Sequence, residues 1–144
     1  MVTDYNKQLG SVAETIVTTE LLKRGWVVST PEGDYAPYDR IATKGPFTHK
    51  IQIKSATYKN RKLVFKWTVP GGHRKQRQAS LDEISYYVFV AVPIPFFLII
   101  PYDLIMEMKT VSITSHPVRI KDAKYYKYLN AWGLLENKGH KDVL

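Results

Sequence analysis

Lys50-Ile51-Gln52-Ile53-Lys54-Ser55 reads as the inner strand around which the rest of the chain is organised. Side chains alternate across a strand. Ile51 and Ile53 therefore face a core. Lys50, Gln52 and Lys54 share the opposite face, where three long polar chains need a partner or a ligand. Upstream, Pro37-Tyr38-Asp39 opens a strand over Asp39–Thr43, and Lys44-Gly45-Pro46 supplies the turn after it. The chain then returns through His49–Ala56. The two strands form an antiparallel hairpin, which sets Asp39 near Lys54.

Outward from this hairpin the periodicities change. After Asp4, a potential N-cap, Leu9, Val12, Ala13, Ile16, Val17 and Leu21 recur at helical spacing as far as Gly25. Trp26–Ser29 reads as a short strand and Thr30–Pro37 as a loop dense in turn formers. Beyond the hairpin, Tyr58–Lys62 turns the chain, Leu63–Val69 alternates as a strand, and Pro70–Ala79 has no periodicity. Ser80, with Glu83 three residues on, has the capping-box pattern for a short helix through Ser85. Tyr86–Val92 and Phe96–Ile100 are rich in β-branched and aromatic residues and are separated by Pro93-Ile94-Pro95. That punctuation makes them a buried hairpin rather than a membrane helix. A short helix capped by Asp103 over Tyr102–Met108, an extended Val111–Thr114 and a final helix over Asp122–Leu135 complete the order. The reading is an α+β chain in the broad α/β class: one domain over residues 1–144, with a central mixed sheet flanked by helices.

The chain has 144 residues, 44% hydrophobic, which is enough to bury a core, and no cysteine. Disulfides, thiolate metal sites and a cysteine nucleophile are excluded. The start of the chain lacks a basic stretch leading into an apolar one, so a cytoplasmic location without a membrane span is expected. The 21 lysines and arginines outnumber the 13 acids, for a net charge of +8. No acid occurs between Arg40 and Leu81, while eleven basic residues do. A block of that kind fits a polyanion partner, nucleic acid first. Within it the Gly71–Gln78 loop is rich in the arginine and glutamine that suit phosphate and base-edge contacts.

The ordered set Gly10, Glu14, Gly33-Asp34, Pro37, Asp39, Gln52 and Lys54, on the elements where that family places them, resembles the PD-(D/E)XK nuclease superfamily. It looks closest to the group I intron-encoded homing endonucleases, whose QxK variant it shares over about the first 70 residues. The resemblance implies a restriction-endonuclease-like core and a metal-dependent endonuclease acting on double-stranded DNA. It implies Glu14, Asp39, Gln52 and Lys54 as catalytic residues. Glu14, Asp39, Gln52 and the Ile53 carbonyl would hold Mg2+ or Mn2+, because hard oxygen donors suit such ions. Lys54 would act on the attacking water or on phosphate charge, with its ammonium held charged by Asp39 and Glu14. Lys50, Lys59, Arg61, Lys66, Arg74, Lys75 and Arg77 would hold the DNA. Cutting both strands implies a homo-oligomer, a dimer or tetramer. Gln52 stands where the superfamily usually places Asp or Glu, so the set carries one negative charge fewer.

Other readings remain beside this one. A Holliday junction resolvase-like nuclease would read DNA shape. A non-catalytic DNA-binding protein on a degenerate nuclease fold is favoured by Gln52, and an RNA-associated basic protein lacks an aromatic stacking signature. Glu14 could be a solvated helix residue, Asp39 a loop cap and Lys54 an exposed strand lysine. Glu32 and Asp34 could approach a metal but read as solvated loop acids. His49, His73, His116 and His140 lack ligand spacing. Trp67 with Phe65 reads as core, and Tyr125, Tyr126 and Trp132 as core or a subunit interface.

Overall fold

Helix α1 (Val2–Lys23) forms because Ala13, Val17 and Leu21 recur every four residues and bury one stripe almost completely. It stops at Gly25, whose φ of 89° places it in the left-handed region. The Gly25 N–H donates to the Leu22 carbonyl and the Trp26 N–H to the Leu21 carbonyl, at 3.1 and 3.0 Å. This paired closure, with Trp26 buried beyond it, is a Schellman end. The computed structural model describes residues 2–33, 35–56, 65–68, 79–92, 95–108, 110–113 and 123–137. Among these, no helix is long and apolar enough to cross a membrane.

Five strands form the main sheet: β1 (Val27–Ser29), β2 (Arg40–Lys44), β3 (Phe47–Ala56), β5 (Tyr86–Ala91) and β6 (Phe96–Pro101), in the order β1-β2-β3-β5-β6. Only β3 and β5 run parallel; the other pairings are antiparallel, so the sheet is mixed. β2 and β3 are the expected hairpin, turned at Gly45 with φ 56° and registered with Arg40 opposite Ile51. The Leu63–Val69 expectation becomes β4 (Phe65–Thr68). It pairs with β7 (Thr110–Ile113) in a separate two-stranded sheet rather than joining the main one.

The apolar runs of β5 and β6 are buried at every position because both faces of the sheet are covered. On one face Val88, Val90 and Ile99 meet Val17 and Leu21 of α1, along with Ile51 and Ile53 of β3. On the other, Tyr87, Phe89, Leu98 and Ile100 meet Trp67, Tyr102, Ile105 and Tyr125.

Several local expectations are corrected. The Ser80–Glu83 bonds form, with the Glu83 carboxylate accepting from the Ser80 N–H and hydroxyl at 3.2 and 3.1 Å, but they close a single turn and no helix follows. In α2 (Tyr102–Ile105) Pro101 occupies the N-cap and Asp103 lies in the first turn. The final helix is broken into α3 (Ala123–Tyr126) and a 3-10 helix (Trp132–Glu136). Asn130 breaks it: at φ 49° it turns the chain and clamps the β6 edge, its N–H donating to the Phe97 carbonyl and its Oδ1 accepting from the Phe97 N–H. Tyr125 and Trp132 are core, as expected, whereas Tyr126 is 64% exposed. The turn over Tyr58–Lys62 and the loop over residues 70–78 lie outside the described residues.

The 3-10 helix is docked by polar contacts with the hairpin. His49 Nε2 lies 2.6 Å from the Leu135 carbonyl, and Lys44 Nζ lies 2.8 Å from Glu136 Oε1. Burial holds the His49 pKa below its ordinary value, so the neutral ring donates to that carbonyl. His49 is thus structural. Leu21 is fully buried where α1, β3 and the 3-10 helix converge. Leu21→Ala should lower unfolding stability by about 2–5 kcal/mol in a urea titration, with an unchanged denaturant slope.

Candidate active site

Ten-residue β3 outruns five-residue β2, and the difference exposes part of its ladder. The last paired residue of β2 is Arg40, opposite Ile51. Asp39 extends the pairing by one step, its N–H donating to the Ile51 carbonyl at 2.8 Å. Its carboxylate then takes over from the missing backbone: Oδ2 accepts from the Ile53 N–H at 2.8 Å. The Ile53 carbonyl belongs to the same strand edge, past the end of β2. Asp39 is therefore fixed against the middle of β3, facing Gln52 and Ile53.

Gln52 meets two acceptors there. Its amide is assigned with the nitrogen toward them, donating to the Pro37 carbonyl at 2.8 Å and to Asp39 Oδ2 at 3.3 Å. A carboxylate in this place would oppose a carbonyl and a second carboxylate. The amide instead ties the Pro37–Asp39 entry to β3.

Glu14 reaches the same place from α1. Burial, the Asp39 charge and a hydrogen bond with Asp39 hold its pKa above the ordinary carboxylate value, while Arg40 opposes the shift. Arg40 was not among the residues expected at the site. Its guanidinium donates to Thr18 Oγ1 at 3.0 Å and to the Asp39 carbonyl at 2.7 Å, and its Nη2 lies 3.8 Å from Glu14 Oε2. The signal available in the sequence was its place directly after Asp39 on an inner strand. Arg40, rather than Lys54, is the cation beside Glu14. Lys54 is half-buried on the Gln52 face of β3, and makes no hydrogen bond or ion pair among the described residues. Lys50, on the same face, donates to the Asp82 carbonyl at 3.0 Å and lies over the Tyr38 ring.

The structure thus gathers Glu14, Asp39, Gln52 and the Ile53 backbone, with Lys54 on the adjoining stretch of strand. Among the described residues no cluster of three or more His, Cys, Asp or Glu exists. Two crowded carboxylates, one of which resists ionisation, with the neutral Ile53 carbonyl oxygen on the same strand edge, fit a hard divalent cation. Magnesium in particular is commonly held by one or two carboxylates and keeps several waters. Glu32 is exposed in the loop before β2. Of the residues expected to hold DNA, Lys66 lies on β4, and its side chain is not among the described ones. Lys59, Arg61, Arg74, Lys75 and Arg77 lie outside the described residues, as does Asp34.

A carboxyl whose pKa rises on folding binds its proton more tightly in the folded chain. Stability therefore falls as pH rises from the ordinary carboxylate value through the raised one, and stays lower above it. Glu14→Gln removes that penalty. In EDTA, calorimetry should find the variant at least as thermostable as wild type near pH 8. The difference should close toward pH 4, where the wild-type carboxyl is protonated. Added Mg2+ should stabilise wild type and leave the variant unmoved.

Comparison with curated proteins finds no match. Among solved structures the chain is similar to one described as the bacterial homing endonuclease I-Ssp6803I. The TM-score is 0.78 at 22% identity, with 95% of each chain covered, which is a shared fold. The family model described as PD-(D/E)XK endonuclease matches residues 5–135, nearly the whole chain. With that match and a sheet that sets Glu14, Asp39 and Gln52 together ahead of Lys54, the chain belongs to the PD-(D/E)XK endonuclease family.

Proposed function

We propose that this protein is a metal-dependent endonuclease that hydrolyses phosphodiester bonds in double-stranded DNA, as a site-specific, homing-type enzyme. The observation that carries the reading is the crowding of Glu14 against Asp39 at the open edge of β3, with the Lys54 ammonium on the next part of that strand. Phosphodiester hydrolysis needs charge stabilisation at the phosphorus centre and a positioned water. Glu14, Asp39 and the Ile53 carbonyl would hold Mg2+ or Mn2+, with the Gln52 oxygen as a neutral fourth donor. Such an ion supplies Lewis-acid polarisation of a phosphate oxygen and a more acidic water. Lys54 neutralises charge gathering on the phosphate oxygens or orients the water. Asp39 holds its position through Ile53 and Gln52, and Arg40 offsets part of the carboxylate charge.

Lys50, Lys59, Arg61, Lys66, Arg74, Lys75 and Arg77 would neutralise the DNA backbone, and a target-specific enzyme would read base edges through the Arg74–Gln78 stretch. The similarity of fold to a protein described as a bacterial homing endonuclease supports the site-specific form over a junction-selective one. Cutting both strands fits a symmetric homo-oligomer. The second reading, a DNA-binding protein without catalysis, draws on Gln52, which engages its neighbours without adding charge.

The test is cleavage of duplex plasmid and four-way junction DNA with Mg2+, using ends recovered from a randomised pool to find the target. Wild type should cut duplex DNA at a defined sequence. Lys54→Ala should bind the same DNA within a few-fold and cut about 10²–10³ times more slowly. Tight, salt-dependent binding by wild type with no Mg2+-dependent cutting of either substrate would instead establish the non-catalytic reading.

A further inference from the structure

Three buried tyrosines stand on or beside β5, Tyr86 on one face of the sheet and Tyr87 and Tyr102 on the other, and two of their hydroxyls are satisfied. Tyr86 donates to the Leu134 carbonyl at 3.1 Å and Tyr102 to the Ala79 carbonyl at 2.7 Å. The third, Tyr87, is 2% exposed, yet its hydroxyl makes no hydrogen bond among the described residues. It is not one of the fully enclosed unsatisfied polar atoms, so the hydroxyl keeps access to solvent instead of being sealed in the core. Packing alone asks only for the ring. The ring stacks on Tyr102 at 5.5 Å between centroids and 18° between planes, and lies tilted against Phe89 at 5.7 Å. A phenylalanine would make the same contacts.

The place of this hydroxyl gives it a use. Tyr87 is the register partner of Gln52 in the parallel β3–β5 ladder, so both side chains leave the sheet on one face. Gln52 contacts Asp39 Oδ2, and the Asp39 charge also acts on the Tyr87 phenol. Burial, Tyr102 and Asp39 together hold the phenolic proton in place, raising its pKa, so the group is a hydrogen-bond donor and not a base. A stacked donor with no acceptor among the described residues thus shares the sheet face of Gln52.

We propose that Tyr87 belongs to this site. Its hydroxyl donates to an oxygen held beside Asp39 and Gln52, either a water of the cation-loaded site or a phosphate oxygen of bound DNA. The inference rests on the nuclease reading, since it presumes that such an oxygen is bound there. It adds a polar group from β5 to a site otherwise built from α1, the segment before β2, and β3.

Tyr87→Phe in the full chain tests it, with the thermal midpoint, Mn2+ affinity without DNA, DNA affinity in Ca2+ and single-turnover cleavage all measured. The variant should melt at or above the wild-type midpoint, because the removed hydroxyl bonds to none of the described residues. If the oxygen is water, Mn2+ binding without DNA should weaken about tenfold. If it is phosphate, Mn2+ binding should be unchanged while DNA affinity or the cleavage rate falls about tenfold. A folded variant equal to wild type in Mn2+ affinity, DNA affinity and cleavage overturns the proposal. A marked fall in the thermal midpoint also overturns it, because the hydroxyl would then be structural. A wild-type protein that cuts no DNA defeats the nuclease reading, and the two binding comparisons still decide the role of Tyr87.

Discussion

The bond from the Ile53 N–H to the Asp39 carboxylate is the constraint on which the site depends. A strand that outlasts its neighbour leaves backbone donors unpaired, and these must find acceptors if they are not to be stranded. Here the acceptor is a side chain instead of more strand. The same bond that ends the β2–β3 ladder therefore delivers a carboxylate to the middle of β3. Because one carboxylate oxygen is committed to this backbone donor, Asp39 cannot swing away. The residue before it, the strand after it and the edge it caps all fix one geometry.

Charge is arranged around that fixed point. Glu14 comes from a helix whose buried stripe of Ala13, Val17 and Leu21 locks its rotation against the sheet. Burial first, and then repulsion from the nearby Asp39 carboxylate, raise the Glu14 pKa. Arg40 relieves part of the repulsion while bonding to both elements, α1 through Thr18 and the entry to β2 through the Asp39 carbonyl. Gln52 then has a physical reason. Its neighbours are acceptors, so a donor is suited to the position that a carboxylate usually fills elsewhere in the family.

Behind the site, β5 and β6 are buried on both faces, and alternate residues feed two separate cores. This rigid wall holds β3 from the side opposite β2. Through the register of Gln52 with Tyr87 it also brings the aromatic core to the edge of the polar cluster. A site on a central strand between two packed layers is positioned more tightly than one on a loop.

Sequence alone was enough for the elements whose pattern is local. The helical stripe of α1, the β2–β3 hairpin around Gly45 and the fully apolar β5–β6 pair follow from periodicity and turn chemistry. The set Glu14, Asp39, Gln52 and Lys54 is what the resemblance to the PD-(D/E)XK superfamily implies. Tertiary structure decided what depends on partners distant in sequence. The pattern over residues 122–135 is helical, but Asn130 takes a left-handed turn because its side chain and backbone clamp Phe97 on β6. Ser80 and Glu83 make their capping bonds without a helix behind them. β4 leaves the main sheet to pair with β7, a choice no local signal encodes. Arg40 displaced Lys54 as the cation beside Glu14, and Tyr87 came into register with Gln52, because strand register and helix docking set those neighbours. Resemblance names the groups a site contains; only packing determines which of them touch.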